Sequence, residues 1–202
     1  MSPRQPPALP IAVFLSGGGR TLKNLIEHRD QHGLPIDIRL VISSSAKVAG
    51  VEIARAAGID TRVVLRSSCD SPEAYREAMF GPCREAAAGW VVMAGFLKHV
   101  LIPDDYVGRV INIHPSLIPA FSGAGMHGMH VHRAAIARGV RYSGCTVHFV
   151  DNVYDNGPII LQRVCPVGPD ATAESLADDV FRLECEALPA ALRQLATTTS
   201  AD

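Results

Sequence analysis

The chain has 202 residues, 48% of them hydrophobic and 19% charged, enough for one domain to bury a core without disulfide or metal staples. Nineteen basic and twenty acidic residues leave a formal net charge of −1, so no whole-molecule field gathers a polyanion, which argues against a general nucleic-acid binder. The five cysteines (Cys69, Cys83, Cys145, Cys165 and Cys185) form no C-x-x-C pair, which argues against a disulfide framework or zinc knuckle and leaves free thiols.

The first ten residues carry four prolines and no apolar stretch of the kind a secretory signal needs. No segment reaches the ~18 apolar residues required to cross a bilayer. The expectation is a cytoplasmic protein with a disordered lead over residues 1–10, a single domain over 11–195 and a flexible tail over 196–202. Residues 11–15, Ile-Ala-Val-Phe-Leu, form an apolar run ending at glycines, as a strand buried on both faces of a parallel sheet does. Leu22, Leu25 and Ile26 then stand at helical spacing, with a stop near Gly33-Leu34-Pro35. The alternation continues with a strand over 36–43, a helix over 48–57 ending at Gly58, and a strand over 61–65. A helix over 71–88, interrupted near Gly81-Pro82, precedes a buried strand over 90–94. A fifth strand spans 110–114, and a long Pro/Gly/His-rich segment separates it from a helix over 131–138. Strands over 145–150 and 159–164 and a helix over 173–195, with Pro189 as a kink site, complete the chain. Alternating strands and helices with short links predict a single-domain α/β fold. Its sheet is mostly parallel, doubly wound and Rossmann-like, with helices on both faces.

Ser16-Gly17-Gly18-Gly19-Arg20-Thr21 falls between the first strand and the first helix. Glycines let backbone approach a ligand, and amides at a helix N-terminus offer donors and a positive dipole end, so phosphate is the expected ligand. The dinucleotide fingerprint is not completed, because Leu22 takes the third glycine's place, and no Walker sequence follows. A tight βα turn without a ligand explains the same residues. In Asn112-Ile113-His114 the two polar residues are two apart in a strand and therefore share a face, near its C-terminal end, where open α/β sheets bind ligands. A carboxamide beside an imidazole suits acyl transfer, donating to a developing oxyanion. A satisfied polar pair at a strand end is the alternative. Asp155-Asn156-Gly157-Pro158 reads by itself as a turn, although an aspartate near His114 would orient the ring and favour its charged form.

On these segments the chain resembles the glycinamide ribonucleotide formyltransferases, purine-synthesis enzymes that use 10-formyltetrahydrofolate, over residues 11–195. The specific motifs are Ile111-Asn112-Ile113-His114-Pro115-Ser116-Leu117-Ile118-Pro119, Gly144-Cys145-Thr146-Val147-His148-Phe149-Val150 and Asp155-Asn156-Gly157-Pro158-Ile159-Ile160-Leu161-Gln162. The resemblance implies formyl transfer to the amine of glycinamide ribonucleotide, with 10-formyltetrahydrofolate as co-substrate and no metal. It places catalysis on Asn112, His114 and Asp155, and substrate phosphate on Gly17, Gly18, Gly19, Arg20 and Thr21. It assigns the folate pocket to Met93, Ala94, Gly95, Phe96, Leu97 and Lys98, with Val150, Asp151, Asn152, Val153 and Tyr154 as a loop closing over the pteridine. It also implies Glu184 near the substrate, and His132 is expected near the substrate ribose or phosphate rather than on a metal. Partners are small molecules, without nucleic acid or membrane, and the assembly is a monomer or homodimer.

The chain departs from the family pattern at Arg20-Thr21, where many members have Ser-Asn, and at Pro72, where relatives often carry an arginine near the folate side. It also has extra residues within Ser122-Gly123-Ala124-Gly125-Met126-His127-Gly128, and this longer loop is expected to be a substrate lid. His127, His130 and His132 raise the question of a metal. Yet no acidic residue lies between Asp105 and Asp151 and no paired thiols accompany them, so none is expected. His28, His32, His99 and His148 are assigned to surface or structural roles, and neither Ser116 nor Cys145 is expected to act as a nucleophile. Two relatives compete. Formyltetrahydrofolate deformylase usually adds an N-terminal domain for which there is no room before Ile11, and methionyl-tRNA formyltransferase usually adds a C-terminal one. From another class, a non-catalytic nucleotide- or folate-binding module would have little use for Asn112, His114 and Asp155 together.

Overall fold

The apolar runs assemble into one seven-stranded sheet in the computed structural model, which describes residues 7–199. In chain order the elements are β1 (Leu9–Leu15), α1 (Arg20–Gln31), β2 (Ile36–Ser43), α2 (Ala49–Ala56), β3 (Thr61–Val63), α3 (Pro72–Glu85), β4 (Trp90–Met93), β5 (Val110–His114), α4 (Met129–Arg138), β6 (Tyr142–Phe149), β7 (Ile159–Pro166) and α5 (Ala173–Thr199). The spatial order is β3-β2-β1-β4-β5-β6-β7. Pairing is parallel from β3 through β5, and β6 and β7 are antiparallel.

Residue alternation along the strands sorts the core into two layers. Ile11, Val13 and Leu15 of β1 pack with Val92, Ile111 and Ile113 against α1, α4 and α5, through Leu22, Leu25, Ala135, Leu176, Val180 and Leu188. Ala12 and Phe14 join Leu40, Ile42, Val91 and Val110 against α3, whose Tyr75, Met79, Phe80 and Cys83 are all buried. The Phe14 and Phe80 rings meet edge-on at 5.5 Å. Period-two strands with both faces apolar require exactly such a covered sheet, and the doubly wound prediction holds.

After β3 the chain crosses to the opposite side of β1, and the order reverses between β1 and β4. The ends of these two strands are stitched together there. The Ser16 amide donates to the Gly95 carbonyl at 3.1 Å, and the Leu97 amide to Ser16 Oγ at 2.8 Å. This switch point is where an open α/β sheet offers a crevice.

Several boundaries differ from expectation. β1 starts at Leu9, because the Leu9 amide donates to the Pro35 carbonyl and pairs the strand with Ile36, so regular structure begins inside the expected lead. Residues 1–6 of that lead and 200–202 of the expected tail lie outside the described residues. α5 runs on to Thr199, and Ala196, assigned to the tail, is buried in the core. α3 is not interrupted at Gly81-Pro82. Its buried face continues through Phe80 to Cys83, and packing of that face outweighs the missing proline donor.

Candidate active site

The glycine turn divides into two kinds of position. A Cβ on Gly17 or Gly18 would meet nothing within 4 Å, so these residues face open space. Gly19 is buried, has φ +72°, and would place a Cβ 2.5 Å from the Gly50 Cα, so its identity is set by the approach of α2. The turn's side chains enter the crevice one step later. Arg20 and Thr21, at the start of α1, line the main cavity of about 350 Å³. Arg20 stacks over the Phe181 ring at 3.7 Å and lies 3.9 Å from the Asp178 carboxylate, with its side chain 64% exposed.

Asn112 and His114 share one face near the end of β5, and both line this cavity. The loop after β6 delivers Asp155, held at φ +51°, to the same point. Its Oδ2 lies 3.5 Å from His114 Nδ1 and accepts a 2.8 Å hydrogen bond from the Gly123 amide. His114 Nε2 donates to the Phe121 carbonyl at 2.9 Å, so Asp155 and the Phe121 carbonyl face the two ring nitrogens. In the protonated ring both N–H groups have acceptors, and the cation sits beside the carboxylate. The anticipated trio is therefore brought together, but with both ring nitrogens of His114 already turned toward protein groups.

A fourth member was assigned elsewhere. His148, expected as surface or structural, is 1% exposed and stands directly across from Asn112 in the antiparallel β5–β6 register. Its Nε2 is 3.2 Å from Asn112 Nδ2 and 3.8 Å from Asp155 Oδ1. Burial holds this imidazole below the ordinary histidine range, opposed by its bond to the Phe149 carbonyl and by Asp155. The signal that could have found it is the motif Thr146-Val147-His148 on a strand returning beside Asn112, but the register is fixed only by folding.

The folate-side prediction resolves into two adjoining compartments. Gly95 and Leu97 line the main cavity, while Met93, Val150, Asp151 and Val153 line a smaller one of about 80 Å³. Phe96, Lys98, Asn112, Tyr154 and Asp155 belong to both, so the compartments meet at the polar cluster. Two residues line neither compartment: Ala94, which is buried in the core, and Asn152. Its Oδ1 accepts from the Ile102 amide at 2.8 Å and its side chain lines neither compartment, because it is used to tie the loop to the segment after β4. Asp151 shapes the same loop through 2.8 and 2.9 Å bonds from the Val153 amide and Asn156 Nδ2.

The far wall is set by α5, α4 and the loop between β5 and α4. Glu184 and His132 both line the main cavity as anticipated. Burial pushes the Glu184 carboxyl up to about 7, against the pull of Arg20. His132 is 5% exposed, and its Nδ1 is buried without a partner among the described residues. Burial lowers its pKa, and nearby His114 lowers it further. An unpartnered buried nitrogen is costly unless a ligand meets it. Gly123, Gly125, Met126, His127 and Gly128 of the longer loop form part of the wall, so that segment borders the site. His127 and His130 meet each other edge-on at 5.5 Å.

Ser116 and Cys145 are ill-placed to attack. Ser116 Oγ donates to the Ala120 carbonyl at 2.5 Å. Cys145 is fully buried within β6, and burial raises its thiol to about 12. Neither residue lines either compartment.

Residues 9–192 match the sequence profile of the Formyl transferase family. The chain is 39% identical over 179 residues to "Phosphoribosylglycinamide formyltransferase, chloroplastic" of Vigna unguiculata, covering 86% of this chain and 56% of the relative. It is also 39% identical over 160 residues to "Phosphoribosylglycinamide formyltransferase" of Escherichia coli (strain K12), covering 78% of this chain and 73% of the relative. The chain thus spans little more than half the length of the plant protein. The fold matches the crystal structure of glycinamide ribonucleotide transformylase 1 from Symbiobacterium toebii with a TM-score of 0.85 at 33% identity, over 95% of this chain and 89% of that one. By sequence and by fold, the chain belongs to the formyl transferase family.

Proposed function

We propose that the chain transfers a formyl group from 10-formyltetrahydrofolate to the amine of glycinamide ribonucleotide. One observation carries this reading: two compartments converge on Asn112, Asp155 and a neighbouring imidazole. Two reactants held one in each would meet at an amide donor beside an imidazole–carboxylate pair, and holding reactants in register is the first contribution to rate. The names of the relatives point the same way.

The smaller compartment, with apolar walls from Met93, Val150 and Val153 and polar edges from Asp151 and the loop backbone, suits a flat heteroaromatic ring. The main cavity takes the acceptor. Arg20 and the open turn at Gly17 and Gly18 supply positive charge and backbone donors for a phosphate, while Glu184 and the free Nδ1 of His132 face the sugar. As the neutral amine attacks, negative charge grows on the formyl oxygen; the carrier's C–N10 bond then breaks, N10 takes up the proton that the amine loses, and tetrahydrofolate leaves. Asn112 donates to that oxygen, and the His114 imidazole stands beside it, oriented by Asp155 and the Phe121 carbonyl. No covalent enzyme intermediate is required.

The testing experiment mixes purified protein with 10-formyltetrahydrofolate, with and without glycinamide ribonucleotide, and follows both loss of the carrier's formyl group and formylation of the amine. Acceptor-dependent transfer is the expected result. Equal release of formate without acceptor would replace transfer by hydrolysis, and binding without turnover would leave a ligand-binding module. We further propose a cytoplasmic monomer or homodimer acting on small molecules. Among the described residues no helix is long and apolar enough to cross a membrane.

A further inference from the structure

His148 is the buried titratable group at the site to which formyl transfer as described gives no task. It stands opposite Asn112 in register, so their side chains emerge on one face of neighbouring strands. Its Nδ1 lies 2.8 Å from the Phe149 carbonyl oxygen. A carbonyl only accepts, so Nδ1 carries a proton. The ring is 1% exposed, an environment that disfavours a second proton, and Nε2 is left with a lone pair. A lone pair 3.2 Å from the Asn112 carboxamide accepts only from its NH₂ end. The direction of this amide therefore follows from a backbone carbonyl, which cannot flip, through the histidine tautomer.

We propose that His148 is a positioning residue that locks the Asn112 carboxamide with its NH₂ toward the imidazole, so that the second N–H of that group is the donor offered to a substrate oxygen. The proposal rests on the formyl-transfer reading for its kinetic consequences, but the tautomer and amide orientation do not depend on turnover. A second proton on His148 would reverse the arrangement. Nε2–H would then face Asp155 Oδ1 and the Asn112 carboxamide, which would have to turn its oxygen toward the ring and lose the donor. The groups facing this ring are Asp155 and Asp151 from the loop after β6, which favour the proton, and His114 from β5, which opposes it. Burial keeps the balance on the neutral side, so the donor is lost only on the acid side of the ordinary histidine range.

The test combines spectroscopy with two variants. In the full chain labelled with ¹⁵N-histidine, long-range ¹H–¹⁵N spectra at pH 7.5 should show His148 protonated at Nδ1 and bare at Nε2, the less common tautomer of free histidine. His148→Gln keeps an acceptor near the Nε2 position, whereas His148→Leu keeps bulk and removes it. His148→Leu should lower kcat by about 10²-fold with KM for both substrates within about threefold, as expected for loss of one oxyanion donor. His148→Gln should recover at least about tenfold of that loss. A proton on Nε2 in the wild type, or equal kcat losses in two folded variants, overturns the proposal. Should the wild type bind both ligands without transferring formyl, while showing the Nδ1–H tautomer, formyl transfer falls and the positioning stands. If His148→Leu does not fold, the wild-type tautomer alone decides.

Discussion

In the proposed reaction Asn112 acts through its amide, and the cost of losing it would separate that role from binding. Asn112→Ala should lower kcat by about 10²–10³-fold, in the range of a lost oxyanion donor, with KM within about threefold. Asp155→Asn removes the carboxylate 3.5 Å from His114 Nδ1, and a kcat loss of about 10²-fold is expected. Steady-state kinetics of both variants decide this, and unchanged kcat would remove the two residues from catalysis. Ser116→Ala and Cys145→Ala should retain turnover within about threefold, with Cys145→Ala costing about 1 kcal/mol of stability from its place in the core. Loss of turnover in a folded variant of either would require a covalent step.

At the scale of elements, close backbone approaches hold the site in place. Gly19 lies where α2 crosses the start of α1, and the conformational and steric demands coincide there. Gly19→Ala would add the strain of φ +72° to a collision between two backbone segments, neither of which yields as a side chain tip would. A loss of about 2–4 kcal/mol is expected in urea denaturation. A change below about 0.5 kcal/mol would show that α2 can retreat freely. The loop between β5 and α4 matters differently. Its Phe121 carbonyl and Gly123 amide hold His114 and Asp155, so the segment expected as a lid also fixes the orientation of these two side chains. Much of this scale was legible in sequence. The bounds of β2 and β5 coincide with the expected strands: β5 is covered on both faces, and β2 is so from Leu40 on, after an alternating start with Asp37 and Arg39 exposed. α3 was misjudged at Pro82 because a local rule about proline competes with a four-residue buried face that only α3's packing on the sheet supplies.

At the scale of the whole molecule, the site opposes stability. Glu184 has its carboxyl raised from 4.5 to about 7 by burial. A raised folded-state value means the native protein prefers the proton, so this stabilisation is full below about 4.5 and lost as pH rises through about 7. Glu184→Gln mimics the neutral form. It should gain about 2 kcal/mol over wild type at pH 8, a difference that vanishes by pH 4, as followed by thermal melting at both values. A constant difference across that range would show that Glu184 is solvated. Residue order alone determined the strands and helices and their alternation, through apolar runs of strand length separated by glycine and by helical periodicity. It also determined that Asn112 and His114 share a face, because alternation in a strand is a property of the backbone. Tertiary structure alone decided that His148 stands opposite Asn112, that Asn152 ties a loop rather than lining the site, and that Glu184 is desolvated. These depend on strand register and on helix placement across stretches of tens of residues, which no local pattern encodes. Chain geometry fixes direction within an element, whereas only packing fixes which element lies beside it.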